Sequence, residues 1–327
     1  MTIYNSILDT IGRTPVVRLN HIAPKHVELY AKIEAFNPGG SVKDRLALGV
    51  VLDAERRGLL KPGDTIIECT SGNVGIALAM VSAARGYKFV AVMGEKYSIE
   101  RRKLIRAYGG KVILFPSELG SSGGNRIADE LAERHGWFRS RQFDNPANPE
   151  FHRMTTASEI LSDFAGRRLD YFVSGFGTSG TVTGVGQMLK LARPDVRIVT
   201  PEPTNAAILQ GGNWNVHGIQ GLAPNFVPSV MDPGVIDELR TIDDLAARDM
   251  SRRLSAEEGI FVGISAGAAV ATALDVARDA ADGSVILAMI PDTGERYLST
   301  FLFDGLHDGS DDEWLAAQER KHQLDPA

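Results

Sequence analysis

The segment NPGGSVKDR (37–45) puts Lys43 two residues past a serine, behind two glycines and a proline. A helix starting at Ser41 holds Lys43 in its first turn, where unpaired N–H groups already present a positive potential. An ammonium is disfavoured there. Such a lysine gives up its proton more readily than a surface lysine and suits imine formation with a carbonyl. A solvated lysine is the plain alternative. GFGTSGT (175–181) carries Gly175, Gly177 and Gly180 in G-x-G-x-x-G spacing, with Glu202 at the end of the next strand. That pattern fits a dinucleotide, and ordinary turns also produce it. Thr178, Ser179 and Thr181 crowd three hydroxyls around the turn, which suits a compact phosphate monoester better. TSGN (70–73) offers hydroxyls and free N–H groups at a helix start. It reads as an anion site sized for a carboxylate, or simply as a good N-cap. GISAG (263–267) runs a strand into Ser265 and a small-residue helix, and alone it reads as a cap.

Elements of alternating type must position these turns. Short apolar strands are expected at 64–70, 87–94, 111–116, 171–177, 197–203, 260–265 and 284–291. Amphipathic helices are expected between them, at 73–86, 98–110, 123–136, 150–165, 180–192, 243–258 and 266–280. Apolar strands separated by amphipathic helices imply parallel sheets covered on both faces, with ligands at the carboxyl ends of the strands. The turn-rich FDNPANP (143–149) separates two such runs and predicts two α/β lobes with a cleft between them. The mixed, acidic tail reads as a solvated end.

Composition narrows the function classes. The chain has 327 residues, 43% hydrophobic and 23% charged, with a formal net charge of −6. That balance, without a long basic run, argues against nucleic-acid binding. The single cysteine excludes an internal disulfide framework and fits a reducing cytoplasm. No export signal, membrane span or metal site is expected.

A lysine able to form an imine, a phosphate-monoester cradle, a carboxylate site and a lone hydroxyl together describe pyridoxal 5'-phosphate set up for amino-acid chemistry. Beyond these turns, the chain contains LDTIGRTPVVRLN (8–20), TSGNVGIALA, SIERRKL, QFDNPANP, TSGTVTGV, GIQGL, EEGIFVGISAGAA and GERYLSTFLF (294–303). In these motifs it resembles the cysteine synthase (O-acetylserine sulfhydrylase) family of fold-type-II pyridoxal-phosphate enzymes over nearly its whole length. The resemblance implies two open, twisted, mostly parallel sheets, like the tryptophan synthase β chain, with the cofactor in the cleft. A smaller mobile lobe would span 42–146, and a larger one 1–41 and 147–327. Lys43 would be the Schiff-base lysine, and Asn73 would meet the ring hydroxyl. Gly177, Thr178, Ser179, Gly180 and Thr181 would hold the phosphate, and Ser265 the pyridine nitrogen. Thr70, Ser71, Gly72, Asn73 and Gln142 would grip the substrate carboxylate. The implied reaction is ping-pong β-replacement on O-acetyl-L-serine through an α-aminoacrylate, in a homodimer. Some members of the family bind serine acetyltransferase.

The chain departs from typical members at the acceptor side. Tyr97 and Ser121 stand where methionine is usual, Ser179 replaces a glycine, and Cys69 and Val74 replace proline and threonine. GLAPNF (221–226) replaces a glycine-rich stretch. Sulfide is small and needs few hydrogen-bond partners. Two hydroxyls in place of methionines suit a larger, polar nucleophile. The set resembles the branch that joins hydroxyurea to O-acetyl-L-serine for D-cycloserine. The alternative is packing drift in an ordinary cysteine synthase that uses sulfide. Cys69 reads as packing.

Overall fold

The computed structural model describes residues 3–306 and 308–324. β1 (Val16–Arg18) and β2 (Val27–Ile33) lead into α1 (Lys43–Arg56). Then β3 (Thr65–Cys69), α2 (Asn73–Arg85), β4 (Lys88–Gly94), α3 (Ile99–Ala107), β5 (Lys111–Phe115), α4 (Gly120–His135) and β6 (Phe138–Arg139) alternate. α5 (Ala147–Met154) and α6 (Thr156–Asp163) precede β7 (Tyr171–Val173), α7 (Gly180–Ala192), β8 (Arg197–Pro203) and β9 (Glu238–Ile242). α8 (Asp244–Glu258), α9 (Ile264–Asp279), β10 (Ser284–Ile290) and α10 (Asp312–Leu324) follow.

The strands form two sheets. One runs β5-β4-β3-β6 and is wholly parallel. The other runs β1-β2-β10-β7-β8-β9, with only the β1 edge antiparallel. Continuous apolar strands fit this arrangement, because side chains alternate between two covered faces. In β4, Phe89, Ala91 and Met93 pack with the α1 and α2 residues Leu46, Val50, Ile76 and Met80. Val90 and Val92 face the other way, toward Ala128 and Ala132 of α4. In β10, Val285, Leu287 and Met289 enter one core, and Ile286, Ala288 and Ile290 the opposite one. The larger sheet is thus sandwiched between two cores, and its strands end at the turns of interest.

Three expectations need correction. No strand forms over 260–265; only Val262 pairs, in an isolated bridge to Thr293, and α9 begins at Ile264. Both flanks of β10 are already filled by β2 and β7, so this segment meets β10's continuation past its end. The helix expected at 150–165 is broken at Thr155 (φ −113°, ψ −70°), whose hydroxyl donates to the Phe151 carbonyl at 2.6 Å. α4 starts at Gly120 rather than 123, with glycines in its first turns. Gly124 explains why: a Cβ there would lie 2.4 Å from Phe115 Cζ and 2.6 Å from Cys69 Sγ. The tail is a helix, α10, with Trp314 and Leu315 exposed.

Candidate active site

Each of the four turns becomes the N-terminus of a helix. Lys43 is the first residue of α1, Asn73 of α2, Gly180 of α7, and Ser265 the second of α9. Three of them converge on the segment that follows β10. Ser41 bridges Asp292, Val42 N–H donates to the Pro291 carbonyl at 2.8 Å, and Val262 bridges Thr293. Asn73 Nδ2 donates to Asp292 Oδ2 at 2.6 Å, and Arg296 Nη1 donates to Asn73 Oδ1 at 2.8 Å. The fourth turn is tied in through Asn148, whose Nδ2 donates to the carbonyls of Gln142 (3.2 Å) and Thr178 (3.3 Å).

The 175–181 turn is shaped for a small anion. Ser179 has φ +64°, a left-handed conformation uncommon for a residue with a side chain. Its buried Oγ has no partner among the described residues, a state normally avoided unless a ligand supplies the bond. The two glycines leave no room for a side chain. A Cβ at Gly177 would lie 2.1 Å from the Gly221 carbonyl oxygen, and one at Gly180 would lie 1.8 Å from Asn148 Oδ1. Behind the turn, Thr181 Oγ1 lies 3.3 Å from His152 Nε2, while His152 Nδ1 lies 2.9 Å from Thr156 Oγ1. Burial pushes His152 down to about 3, so the ring is neutral. A dinucleotide is not served by Glu202. It is buried, and its carboxylate accepts from Leu209 N–H (2.7 Å) and Gln210 Nε2 (3.1 Å). Free hydroxyls, a helix N-terminus and a nearby lysine fit the phosphate and carbonyl of pyridoxal phosphate.

At TSGN the structure divides the labour. Thr70 Oγ1 accepts from Gly72 N–H (3.0 Å) and Gly75 N–H (3.2 Å), so this hydroxyl builds the turn. Ser71 is exposed, and the N–H groups of Asn73 and Val74 lack helical partners. Gly72 has φ +152°, and a Cβ there would lie 2.1 Å from Arg101 Cδ. Arg101 in turn donates to the Ser71 carbonyl at 3.1 Å and to Gln220 Oε1 at 2.8 Å. Gln142 is buried, with Nε2 donating to the Cys69 carbonyl. Tyr97 and Ser121 are both half-buried. Burial raises the Tyr97 phenol, with Cys69 adding to the rise and Arg101 opposing it. Gly124, one turn after Ser121, packs on Cys69 Sγ. No hydrogen bond to a described residue engages either hydroxyl. Cys69 is buried, and its thiol is pushed up to about 12, mainly by burial, so it is packing.

Burial pulls Lys43 below the ordinary lysine range, opposed by Asp292 and then Glu34. Desolvation is therefore the leading cause of the shift. Next to it, burial pushes Asp44 up to about 7, although Gly39 N–H donates to its Oδ2 at 2.6 Å. An acid with a raised folded value binds its proton more tightly folded than unfolded. Its contribution to stability is therefore lost as pH rises from about 4 to about 7. Asp44→Asn should thus raise the melting temperature at pH 7.5, by about 2 °C or more, and much less at pH 4. Parallel melting curves for the two proteins at both pH values check this.

Asp292, Arg296, Tyr297, Arg101, Gln220 and His152 were not singled out from sequence. GERYLSTFLF and GIQGL, which contain Arg296, Tyr297 and Gln220, marked the neighbourhood without assigning a task.

The family model "pyridoxal-phosphate dependent enzyme" matches residues 7–292. The chain is 74% identical to O-ureido-L-serine synthase of Streptomyces lavendulae, over 97% of this chain and 98% of that protein. It is 46% identical to cysteine synthase of Staphylococcus aureus, over 91% of this chain and 97% of that one. A crystal structure of the O-ureido-L-serine-bound K43A mutant of O-ureido-L-serine synthase superposes with a TM-score of 0.96 at 73% identity, covering 97% of this chain and 99% of that one. The chain belongs to the pyridoxal-phosphate dependent enzymes, with the two-sheet α/β fold of the cysteine synthase type.

Proposed function

We propose that the protein replaces the acetate of O-acetyl-L-serine with hydroxyurea, giving O-ureido-L-serine. The observation that carries this reading is the 74% identity to O-ureido-L-serine synthase over nearly the whole of both chains. Two uncommitted, half-buried hydroxyls, on Tyr97 and Ser121, support it, because a urea-like nucleophile needs hydrogen-bond partners that sulfide does not.

Bound pyridoxal phosphate supplies the electron sink that makes the substrate α-carbon acidic. The 177–181 turn would hold its phosphate, Asn73 its ring hydroxyl and Ser265 its ring nitrogen. Ser71, the free N–H groups of the α2 N-terminus and Gln142 orient the substrate carboxylate, and Thr70 keeps that turn in shape. Lys43 takes the α-proton as its amine, acetate leaves from Cβ, and the hydroxyl oxygen of hydroxyurea bonds to Cβ as its own proton passes to solvent. Lys43 then returns the proton to the α-carbon. A lowered pKa keeps part of the lysine neutral and able to act as base. The residues at 42–146 form the lobe that rotates onto the remainder and excludes water. Hydrogen bonds that cross the cleft, from Arg101 to Gln220 and between Asn73 and the Asp292–Arg296 pair, are of the kind that would hold it shut. The protein acts as a homodimer in this reading.

The 46% identity to cysteine synthase favours sulfide as a second acceptor. The two are separated by incubating the enzyme with O-acetyl-L-serine and equal concentrations of hydroxyurea and sulfide. Mass analysis should find O-ureido-L-serine as a major product. Cysteine alone would overturn the hydroxyurea reading.

A further inference from the structure

We infer that Asp292 is a positioning residue, the counter-charge that holds the proton on the freed Lys43 amine and fixes the direction of the Asn73 amide. The inference rests on the role given to Lys43 above. β10 ends at Ile290, and the chain continues alongside the approach to α1. The bridge from Ser41 to Asp292 brings this carboxylate beside the start of α1, two residues before Lys43.

Asp292 is 1% exposed. Its Oδ2 accepts from Tyr297 Oη and Asn73 Nδ2, each at 2.6 Å. Its Oδ1 is buried with no partner among the described residues, and lies so close over Gly263 that a Cβ there would come within 2.2 Å. A buried carboxylate oxygen without a donor is costly. Lys43 Nζ, the nearby cation, likewise makes no hydrogen bond or close ion pair with a described residue. A freed Lys43 amine turned toward Oδ1 would supply the donor that oxygen lacks.

The other charges around Lys43 are committed or partly neutralised. Glu34 is buried and bound by Arg45 at 2.7 and 2.9 Å. His152 is neutral; Asp44 accepts from Gly39 N–H at Oδ2 only and its Oδ1 lacks a partner among the described residues, but burial pushes this acid up to about 7, so near neutral pH part of it carries no charge. Arg296 gives its hydrogen bonds to Asn73 Oδ1 and the Gly39 carbonyl rather than to Asp292. Asp292 receives bonds from neutral donors only, so its charge remains available to an ammonium. In the proposed reaction Lys43 takes one proton from the substrate α-carbon and later gives one back. Between those events it is an ammonium in a dry site, the form a carboxylate stabilises.

The amide argument is independent of charge. With Arg296 donating to Asn73 Oδ1 and Asp292 accepting from Nδ2, the amide cannot flip without losing both bonds. One N–H of Nδ2 is left for a ligand.

The test uses Asp292→Asn, which keeps the shape and removes the charge, Asp292→Ser, smaller and equally uncharged, and Tyr297→Phe, which removes a neutral donor to the same oxygen. The first readout is the rate at which the apo-protein combines with added pyridoxal phosphate between pH 6 and 9, followed by absorbance. The neutral amine is the reacting form. Removing the counter-charge should therefore move the profile to lower pH. Relative to its own high-pH plateau, the Asp292→Asn rate at pH 7 should rise at least about threefold over the wild type. Asp292→Ser should shift the same way, and Tyr297→Phe should keep the wild-type profile. In the holoenzyme, Asp292→Asn should lower kcat and leave KM for O-acetyl-L-serine nearly unchanged. An unshifted profile in both uncharged variants, or an equal shift in Tyr297→Phe, overturns the counter-charge role. Apo Lys43→Ala combining with the cofactor on the wild-type profile would instead overturn the assignment of Lys43.

Discussion

Lys43→Ala should lose turnover by about 10³-fold or more and still bind pyridoxal phosphate. The two halves of that expectation come from different parts of the structure. A positioned proton carrier contributes about 10²–10⁴-fold, and alanine can neither take the α-proton nor return it. The phosphate turn is built by other residues. Ser179 Oγ, the glycines packed against Gly221 and Asn148, and the N-terminus of α7 are untouched by a change at the start of α1. Equilibrium dialysis against pyridoxal phosphate and steady-state acetate release measure the two halves separately. Retained turnover would remove Lys43 from the chemistry. Turnover lost together with cofactor binding would make it an anchor rather than a base.

The chemistry-bearing turns were legible because each stands where an apolar run gives way to a helix, and because hydroxyls and glycines cluster there. Lys43, TSGN, the 175–181 turn and Ser265 all sit at helix starts, as their local sequence predicts. The strands β3, β4, β5, β7, β8 and β10 were equally plain, whereas β2 and β9 were not expected. What sequence did not show was the work done across long separations. Asp292 is 219 residues from the Asn73 it binds, and Arg296 is 223 away. Nothing in PDTGERY states that its carboxylate and guanidinium will grip opposite ends of one amide. The same limit explains the false strand at 260–265. Its apolar pattern is strand-like, but whether a segment pairs depends on whether a sheet edge is vacant beside it. Thr70 shows a subtler limit. Its type and position suit both ligand binding and capping, and only the distances to Gly72 and Gly75 N–H assign its hydroxyl to the cap.

Substituting methionine for both Tyr97 and Ser121 should reduce turnover with hydroxyurea by roughly 5- to 150-fold. A neutral hydrogen bond contributes about 0.5–1.5 kcal/mol, and two such bonds to the nucleophile would be lost together. The change should spare the first half of the reaction, since neither hydroxyl is needed to hold the substrate carboxylate or to release acetate. Rapid mixing with O-acetyl-L-serine alone should therefore give an acetate burst at the wild-type rate. The slowing should appear only once hydroxyurea is added. Sulfide, which needs no such partners, should be used at least as well by the double variant as by the parent. Repacking is the competing cause, because methionine is bulkier than the serine at 121 and smaller than the tyrosine at 97. It would slow the burst or lower the melting temperature as well, so those two measurements separate the effects. A double variant that handles hydroxyurea as the parent does would make Tyr97 and Ser121 packing residues. It would also move the balance toward sulfide as the natural nucleophile.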